Sequence, residues 1–381
     1  MSRVAVSANV LRWALRRSGL SPEDLERTFP HLVEWERGEA QPTLRQLEAL
    51  AQRTRTQLGF FFLAEPPNER FPVPYYRTLG DKVPHAPGPD LVDTVHMMER
   101  RQGWMREFLL DQGHGRLGLV GSANVGEPTT AVVPRMRRAL GLPAGWAVIE
   151  HTTADALRRL REAMDAIGIL VVVNGVVGNN THRPLDPDEF RGFILIDEHV
   201  PLVFVNGADA KGAQLFTLAH DLAHVFVGAG AAFDLREMEP ADNRVERVCN
   251  HVAAEFLVPE RELRELWPGV ETLPEPFRTV ARRFKVSELV SARRALDLGL
   301  VGVAQFQAYY RTYKARERSD PVQHGGNFYA NQQLRIGHRF GSAVVQAVRE
   351  GTLPYSEAYE LTGLYGTAFD RYAARLDRGE A

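Results

Sequence analysis

Two histidines spaced four residues apart are the part of this sequence best able to do chemistry. His220 and His224 lie in the segment HDLAH, inside an apolar run at 214–227 that predicts a buried helix. Side chains at positions i and i+4 share one face of a helix, so both imidazoles can reach one metal ion. The segment therefore predicts a metal site, with zinc as the expected ion.

The residue after the first histidine determines which reaction such a site could catalyse. In zinc peptidases this position holds a Glu that takes a proton from the attacking water. Here it is Asp221, whose carboxylate is withdrawn by about 1 to 1.5 Å because Asp is one methylene shorter. A displacement of that size can cost about a hundredfold in rate. Asp221 is the predicted proton-transfer residue, and three outcomes stay open: slow catalysis through a second water, binding without cleavage, or an introduced change in an otherwise active enzyme.

Chance is the competing explanation for the histidine pair. With 12 histidines in 381 residues, roughly one chain in three would contain a pair at this spacing. An acidic residue directly after the first histidine lowers that frequency to about one in twenty. Apolar residues at helical spacing around the pair lower it further, which favours a metal site over coincidence.

A catalytic zinc also needs a third protein ligand, since it keeps one position open for water. Downstream, Asp242 is a good N-cap for a predicted helix over 243–258, and Glu246 borders the apolar face of that helix. No basic residue lies four positions away to pair with Glu246, which favours a ligand over an ordinary exposed glutamate. Asp234 is the strongest competitor, because a short loop connects it to His224. The other competing groups are Glu237, Glu239, Glu255 and His251.

Composition places the chain among ordinary globular proteins with room for two or three domains. It has 381 residues, of which 44% are hydrophobic and 25% charged, and its net charge is −2. This charge gives no global attraction to nucleic acid or membranes, so such contacts need a local basic face. The single cysteine, Cys249, excludes an intrachain disulfide, and the sequence has neither an apolar signal core nor a run of about 18 apolar residues. We expect a cytoplasmic protein.

The N-terminal segment 7–63 predicts four or five short helices joined by tight turns, a layout typical of helix-turn-helix domains. The predicted helix starts are Ser7, Ser21, Pro30 and Thr43. The third helix would read DNA, but it carries Glu34 and Glu36, which phosphate repels. Dimerisation or partner docking is therefore the alternative to sequence-specific DNA binding. The side chains expected to contact phosphate are Arg12, Arg16, Arg17 and Arg37.

The remaining sequence alternates between linker, strand and helix patterns. Prolines punctuate 65–90, which predicts an extended linker, and a long helix is expected from about 90 to 110. β-branched runs at 167–177 and 190–205 predict two or three strands before the histidine helix. An exposed sheet edge at that place could hold an extended peptide. Helices are expected after residue 259, including a second helix-turn-helix-like pattern near the end.

These segments together resemble the ImmA/IrrE family of bacterial metallopeptidases. More narrowly, the chain is similar to the longer members, in which an Xre-type helix-turn-helix precedes the peptidase. Three motifs carry the resemblance most specifically, at 216–224, 246–250 and 253–259. Further similar segments, which extend the resemblance over nearly the whole chain, lie at 42–44, 60–67, 191–193, 201–206 and 284–300.

The resemblance implies a ligand set and a role. The family's histidine ligands fall on His220 and His224, its downstream Glu ligand falls on Glu246, and its catalytic Glu falls on Asp221, which is a departure. Family members cut intracellular repressors or antitoxin-like partners and thereby switch on stress responses or mobile elements. The implied activity is that of a zinc-dependent endopeptidase. The alternative is a DNA-binding regulator or antitoxin-type pseudopeptidase whose metal site is structural or vestigial.

The predicted fold is α+β and mostly helical, with a zincin-like core around a small mixed sheet. The helix-turn-helix domain is expected at 1–64, followed by a linker and long helix at 65–118. The metallopeptidase domain is expected at 119–300, and a helical region at 301–381.

Overall fold

The computed structural model describes residues 3–68, 75–76, 87–228, 231–233, 244–317 and 328–378; for 75–76, 231–233, 317 and 328–331 only the backbone is described. The chain divides into two units, one formed by 1–72 with 81–96 and the other by 73–80 with 97–381. This division differs from the four predicted parts, because 65–118 is shared between the units and the C-terminal region belongs to the second. The described residues are mostly helical with a small mixed sheet, which confirms the predicted α+β class.

The first unit contains four short helices in its described part. They are α1 (Ala8–Ser18), α2 (Pro22–Thr28), α3 (Leu32–Arg37) and α4 (Leu44–Thr54), followed by a 3₁₀ turn at Leu58–Phe62. Two predicted caps act through their side chains: Ser21 accepts the N–H of Asp24, and Thr43 forms a capping box with Gln46. Ser7 occupies its N-cap position without a side-chain hydrogen bond to the described helix.

The third helix begins at Leu32 instead of Pro30. Its inward face carries Leu32 and Trp35, which pack into the core of the unit beside Leu11, Leu47 and Phe61. Gly38 ends the helix in the left-handed conformation, with a φ of 74° that favours glycine. The apolar spacing thus fixes which face of each short helix is buried.

The second unit contains seven strands in its described part. They are β1 (Tyr75–Tyr76), β2 (Leu170–Asn174), β3 (Val176–Val177), β4 (Asn180–Pro184), β5 (Gly192–Leu195), β6 (Leu202–Asn206) and β7 (Ala231–Phe233). Five of them form a sheet in the order β1-β7-β5-β6-β2. Strand β2 pairs parallel with β6, β5 lies antiparallel between β6 and β7, and β1 pairs parallel with β7. A separate two-stranded ribbon joins β3 to β4.

The predicted strands before the histidine helix are confirmed as β2, β5 and β6. Every residue of these three strands is buried, as expected for continuous apolar runs in a sheet covered by helices. Strand β5 is not an edge strand of this sheet, because β6 pairs with one side of it and β7 with the other. Binding of a peptide at an exposed sheet edge beside the site stays a prediction.

Helices make up most of the described remainder of the chain. Helix α5 (Pro89–Asp111) contributes residues to both units. The later helices are α6 (Thr129–Leu140), α7 (Thr153–Ala166), α8 (Lys211–Val227), α9 (Arg244–Leu257), α10 (Glu260–Leu266), α11 (Pro276–Phe284), α12 (Glu288–Asp297), α13 (Val303–Glu317), α14 (Phe328–Ile336), α15 (His338–Arg349), α16 (Tyr355–Thr362) and α17 (Thr367–Asp377). None of the described helices combines the length and apolar character that a membrane span requires.

Helix α8 is the central element of the second unit. It packs against α7, α9, β5 and β6, and its residues from Gln214 to Phe226 are all buried. Gly228 ends the helix in the left-handed conformation, which glycine adopts without strain. Close packing on all sides holds the side chains of a helix in fixed rotamers. Such a helix can position functional side chains precisely.

Candidate metal centre

Three side chains with metal-binding groups meet between α8 and α9. His220 and His224 extend from α8, and Glu246 extends from the first turn of α9. His220 Nε2 lies 3.4 Å from Glu246 Oε2, and His224 Nε2 lies 3.3 Å from Glu246 Oε1. All three residues are buried, with at most 3% of their surface exposed. The structure therefore brings together the three predicted ligands.

The geometry of this cluster fits a zinc ion. In a tetrahedral site with ligand bonds of about 2.1 Å, neighbouring ligand atoms lie about 3.4 Å apart. The two distances between the imidazoles and Glu246 agree with that spacing, and one ligand atom from each of the three residues lies within 4.8 Å of the others. Two imidazoles and one carboxylate are also the donor set of several catalytic zinc sites, which leave the fourth position open.

The electrostatics of Glu246 support the same assignment. Its two carboxylate oxygens are buried and have no hydrogen-bond partner of acceptable geometry among the described residues. Burial acts to raise the pKa of Glu246, but the imidazoles of His220 and His224 outweigh it and hold that pKa at about 2. Glu246 is therefore ionised at neutral pH, and a divalent cation between it and the histidines would satisfy its buried charge.

Asp221 lies on the opposite side of the His220 ring from Glu246. Its Oδ1 is 3.4 Å from His220 Nδ1, whereas Glu246 faces Nε2 of the same ring. Asp221 is 1% exposed, and its Oδ2 is buried without a hydrogen-bond partner in the described part of the chain. Burial raises the pKa of Asp221, although His220 and His224 act to lower it. Asp221, which occupies the position expected for the general base, therefore contacts His220, one of the predicted metal ligands.

The charge of His220 follows from these two carboxylates. Burial acts to lower the pKa of its imidazole, yet Asp221 and Glu246 together raise that pKa above the ordinary value. A metal ligand must be the neutral imidazole, so protons compete with the metal at this residue.

Gly192 of β5 makes room for this arrangement. A Cβ at this position would lie 2.7 Å from the backbone oxygen of Phe204, 2.7 Å from Thr217 Cγ2 and 3.1 Å from Asp221 Oδ2. Only glycine lets β5 approach the face of α8 that carries Thr217 and Asp221. No pattern in the sequence indicates this contact. Gly192 is singled out there only because it lies in the segment 191–193, which resembles the ImmA/IrrE family.

We expect Gly192→Ala to destabilise the second unit by about 1 to 3 kcal/mol, because overpacking a buried contact forces the backbone to move. Thermal and denaturant unfolding of the full chain measure the effect. Gly103→Ala is the matched control: Gly103 is an exposed helical glycine, and apart from its two chain neighbours and the backbone of its own helix no described atom lies within 4 Å of the position that an added methyl group would take. That change should be neutral or stabilising. Equal stability of Gly192→Ala and wild type would contradict the close approach.

The family comparison covers this part of the chain. Residues 164–296 match the family model Peptidase_M78, the IrrE N-terminal-like domain. The matched stretch contains His220, His224 and Glu246 and the two helices, α8 and α9, that carry them, which supports a metallopeptidase-like fold. Residues 336–375, which include α15, α16 and most of α17, match a domain of unknown function, DUF8813. A search of the curated proteins finds no match.

The other predicted ligands are placed as follows. Within the matched stretch, Glu255 pairs with Arg294, and His251 is exposed on α9. Three further candidates, Asp234, Glu237 and Glu239, lie outside the described residues, so the structure gives them no position. The predicted N-cap Asp242 lies outside them as well.

The four arginines predicted to contact phosphate differ in exposure. Arg12, Arg16 and Arg37 are at least partly exposed on the first unit. The Arg17 side chain is only 8% exposed, donates from Nη1 to the Arg55 carbonyl oxygen at 3.0 Å, and lies 3.7 Å from Asp93. Arg17 is therefore engaged within its own unit, which weighs against its use as a phosphate contact.

Proposed function

We propose that the chain is a cytoplasmic zinc-dependent endopeptidase of the ImmA/IrrE type. Its substrate would be a repressor or antitoxin-like protein partner, cleaved in stress response or mobile-element regulation. The observation that carries the proposal is the buried cluster of His220, His224 and Glu246 at spacings suited to zinc. The match of 164–296 to the IrrE N-terminal-like domain supports the same activity.

Each residue of the proposed site has its own role in this reaction. His220 and His224 would hold the ion through Nε2, and Glu246 would supply the third ligand and a compensating negative charge. When bound, zinc polarises the scissile carbonyl and activates a water for attack. Asp221 is the acidic residue expected to move the proton. Because its carboxylate is short and directed at His220, we expect weak hydrolysis.

The direct test is limited proteolysis of a partner protein. The wild-type chain is loaded with zinc and incubated with a repressor-like protein encoded beside its gene, and products are followed on gels and by mass spectrometry. We expect slow cleavage at a defined bond, lost when a chelator removes the metal. Zinc binding without cleavage of any neighbouring partner would overturn the peptidase proposal.

The second candidate is a regulator or antitoxin-type pseudopeptidase that binds metal and partner without cutting. The placement of Asp221 favours it, because a buried carboxylate directed at a ligand is poorly placed to take a proton from water. Metal content measured together with proteolysis separates the two candidates. The endopeptidase requires bound metal and predicts new peptide termini. The pseudopeptidase, whose metal site is structural or vestigial, predicts no new termini whether or not metal is bound.

DNA binding by the first unit belongs to the same regulatory alternative. We expect affinity for the chain's own promoter region to be weak and largely electrostatic, because Glu34 and Glu36 lie on α3, where base-reading residues would lie. Affinity should fall as salt rises, and replacing Arg12, Arg16 and Arg37 by alanine should reduce the logarithmic salt slope by about one per lost phosphate contact.

Binding is measured by fluorescence anisotropy at two salt concentrations with the full chain. Arg116→Ala is the control, since this side chain is 72% exposed in the second unit. Sequence-specific binding of about 1 nM at physiological salt would contradict the expectation and favour the regulator.

A further inference from the structure

Asp221 occupies the sequence position of a general base, yet its carboxylate lies beside Nδ1 of His220. We propose that Asp221 is a positioning residue for His220: its carboxylate accepts the Nδ1–H of the imidazole and so presents Nε2 to the metal. The inference rests on the proposed metal site. It assigns a definite role to the residue at which this chain departs from the usual zinc-peptidase motif.

The first support is the arrangement of two carboxylates around one ring. Glu246 Oε2 lies 3.4 Å from Nε2 of His220, and Asp221 Oδ1 lies 3.4 Å from Nδ1. A neutral imidazole carries its proton on one nitrogen and a lone pair on the other. A carboxylate beside Nδ1 stabilises the proton there, which leaves the Nε2 lone pair directed at the Glu246 side.

The second support is that Asp221 is held against the ring by its surroundings. Its Oδ2 lies beside Gly192: a Cβ added there would be 3.1 Å from Oδ2 and 2.7 Å from Thr217 Cγ2. With 1% exposure, the carboxylate has little access to solvent. The absence of a side chain at Gly192 leaves room for this carboxylate between β5 and the His220 ring.

The third support is the length of the side chain. On a helix, the carboxylate of Asp221 lies close to its own backbone, within reach of the neighbouring ring. A glutamate has one more methylene and can extend about 1 to 1.5 Å farther, toward a substrate. The short side chain therefore suits contact with a ligand better than contact with an attacking water.

The physical effect of such a partner is on metal affinity. A carboxylate at the second nitrogen fixes the tautomer and raises the basicity of the coordinating nitrogen, and losing it typically weakens metal binding about 10- to 100-fold. The distance of 3.4 Å between Nδ1 and Oδ1 is longer than the usual N–H···O separation of about 2.7 to 3.2 Å, so the hydrogen bond is weak. We therefore expect a loss toward the lower end of that range.

The test compares zinc affinities of full-length variants by competition with a chromogenic chelator. Asp221→Ala should bind zinc about 10-fold more weakly than wild type. Asp221→Asn should recover part of that loss, because its amide oxygen can still accept the Nδ1–H. Thr217→Val, which keeps the packing beside Gly192 without altering the His220 contact, should bind as wild type does.

A spectroscopic measurement separates positioning from packing. In ¹⁵N-histidine-labelled, zinc-loaded protein, the His220 Nδ1 resonance should report a protonated nitrogen in wild type and Asp221→Asn, and should shift in Asp221→Ala. Unchanged zinc affinity in Asp221→Ala would overturn this inference and leave the proposed function standing. Equal losses of zinc affinity in Asp221→Asn, Asp221→Ala and Thr217→Val would do the same. A wild-type chain that retains no zinc would overturn the proposed function as well.

Discussion

Glu246→Ala should reduce zinc retention from about one ion per chain to a small fraction of that value after dialysis. The change removes the carboxylate whose two oxygens face the Nε2 atoms of His220 and His224. Two imidazoles alone leave the ion with too few protein ligands for tight binding. Elemental analysis of purified wild type and variant measures the difference, and circular dichroism establishes that both are folded.

Two matched variants control for the loss of a charge or of a nitrogen ligand elsewhere. Glu265→Ala removes a glutamate that is 64% exposed and paired with Arg261, and His251→Ala removes the exposed histidine of α9. Both should retain zinc as wild type does. Full retention in Glu246→Ala would remove Glu246 from the site and make Asp234, which lies outside the described residues, the next candidate.

Asp221→Glu should raise the rate of partner cleavage by about a hundredfold, because the added methylene restores the reach of a general base. The same change should weaken zinc binding several-fold, since the longer side chain withdraws its carboxylate from Nδ1 of His220. Initial cleavage rates at saturating zinc and a separate zinc titration measure the two effects. A faster cleavage rate together with a weaker zinc affinity would show that a carboxylate at this position has two separate roles, as a general base and as the partner of His220 Nδ1.

The double variant Asp221→Glu/Glu246→Ala shows whether the gained activity depends on the metal site, and it should be inactive. Cleavage by Asp221→Glu that is unchanged or slower would mean that the site has adapted to aspartate. In that case the argument from side-chain reach is wrong, and the pseudopeptidase becomes the better interpretation.

The elements and ligands that depend on local sequence could be predicted. The buried helix around His220 and His224 follows from apolar spacing, and the N-cap residues Ser21 and Thr43 follow from their side-chain chemistry. Glu246 could be favoured because the sequence offers it no basic partner at helical spacing. These features need only a few neighbouring residues to be specified.

Contacts between distant segments could not be predicted. The approach of Gly192 to Asp221 depends on how β5 crosses α8, and the burial of Arg17 depends on Arg55 and Asp93, which lie far along the sequence. The orientation of Asp221 toward Nδ1 likewise depends on a tertiary contact. A periodic pattern shows which face is buried, but not which atoms meet there.

The sheet of the second unit includes a strand from outside its main sequence segment. Residues 73–80 belong to this unit, although 1–72 and 81–96 belong to the other, and they supply β1 at the sheet edge. A shortened chain that began after residue 96 would lack that strand and leave backbone N–H and C=O groups of β7 without partners. Unpaired strand edges promote association between chains. Fragments of the second unit that begin after residue 96 should therefore self-associate more readily than the full chain.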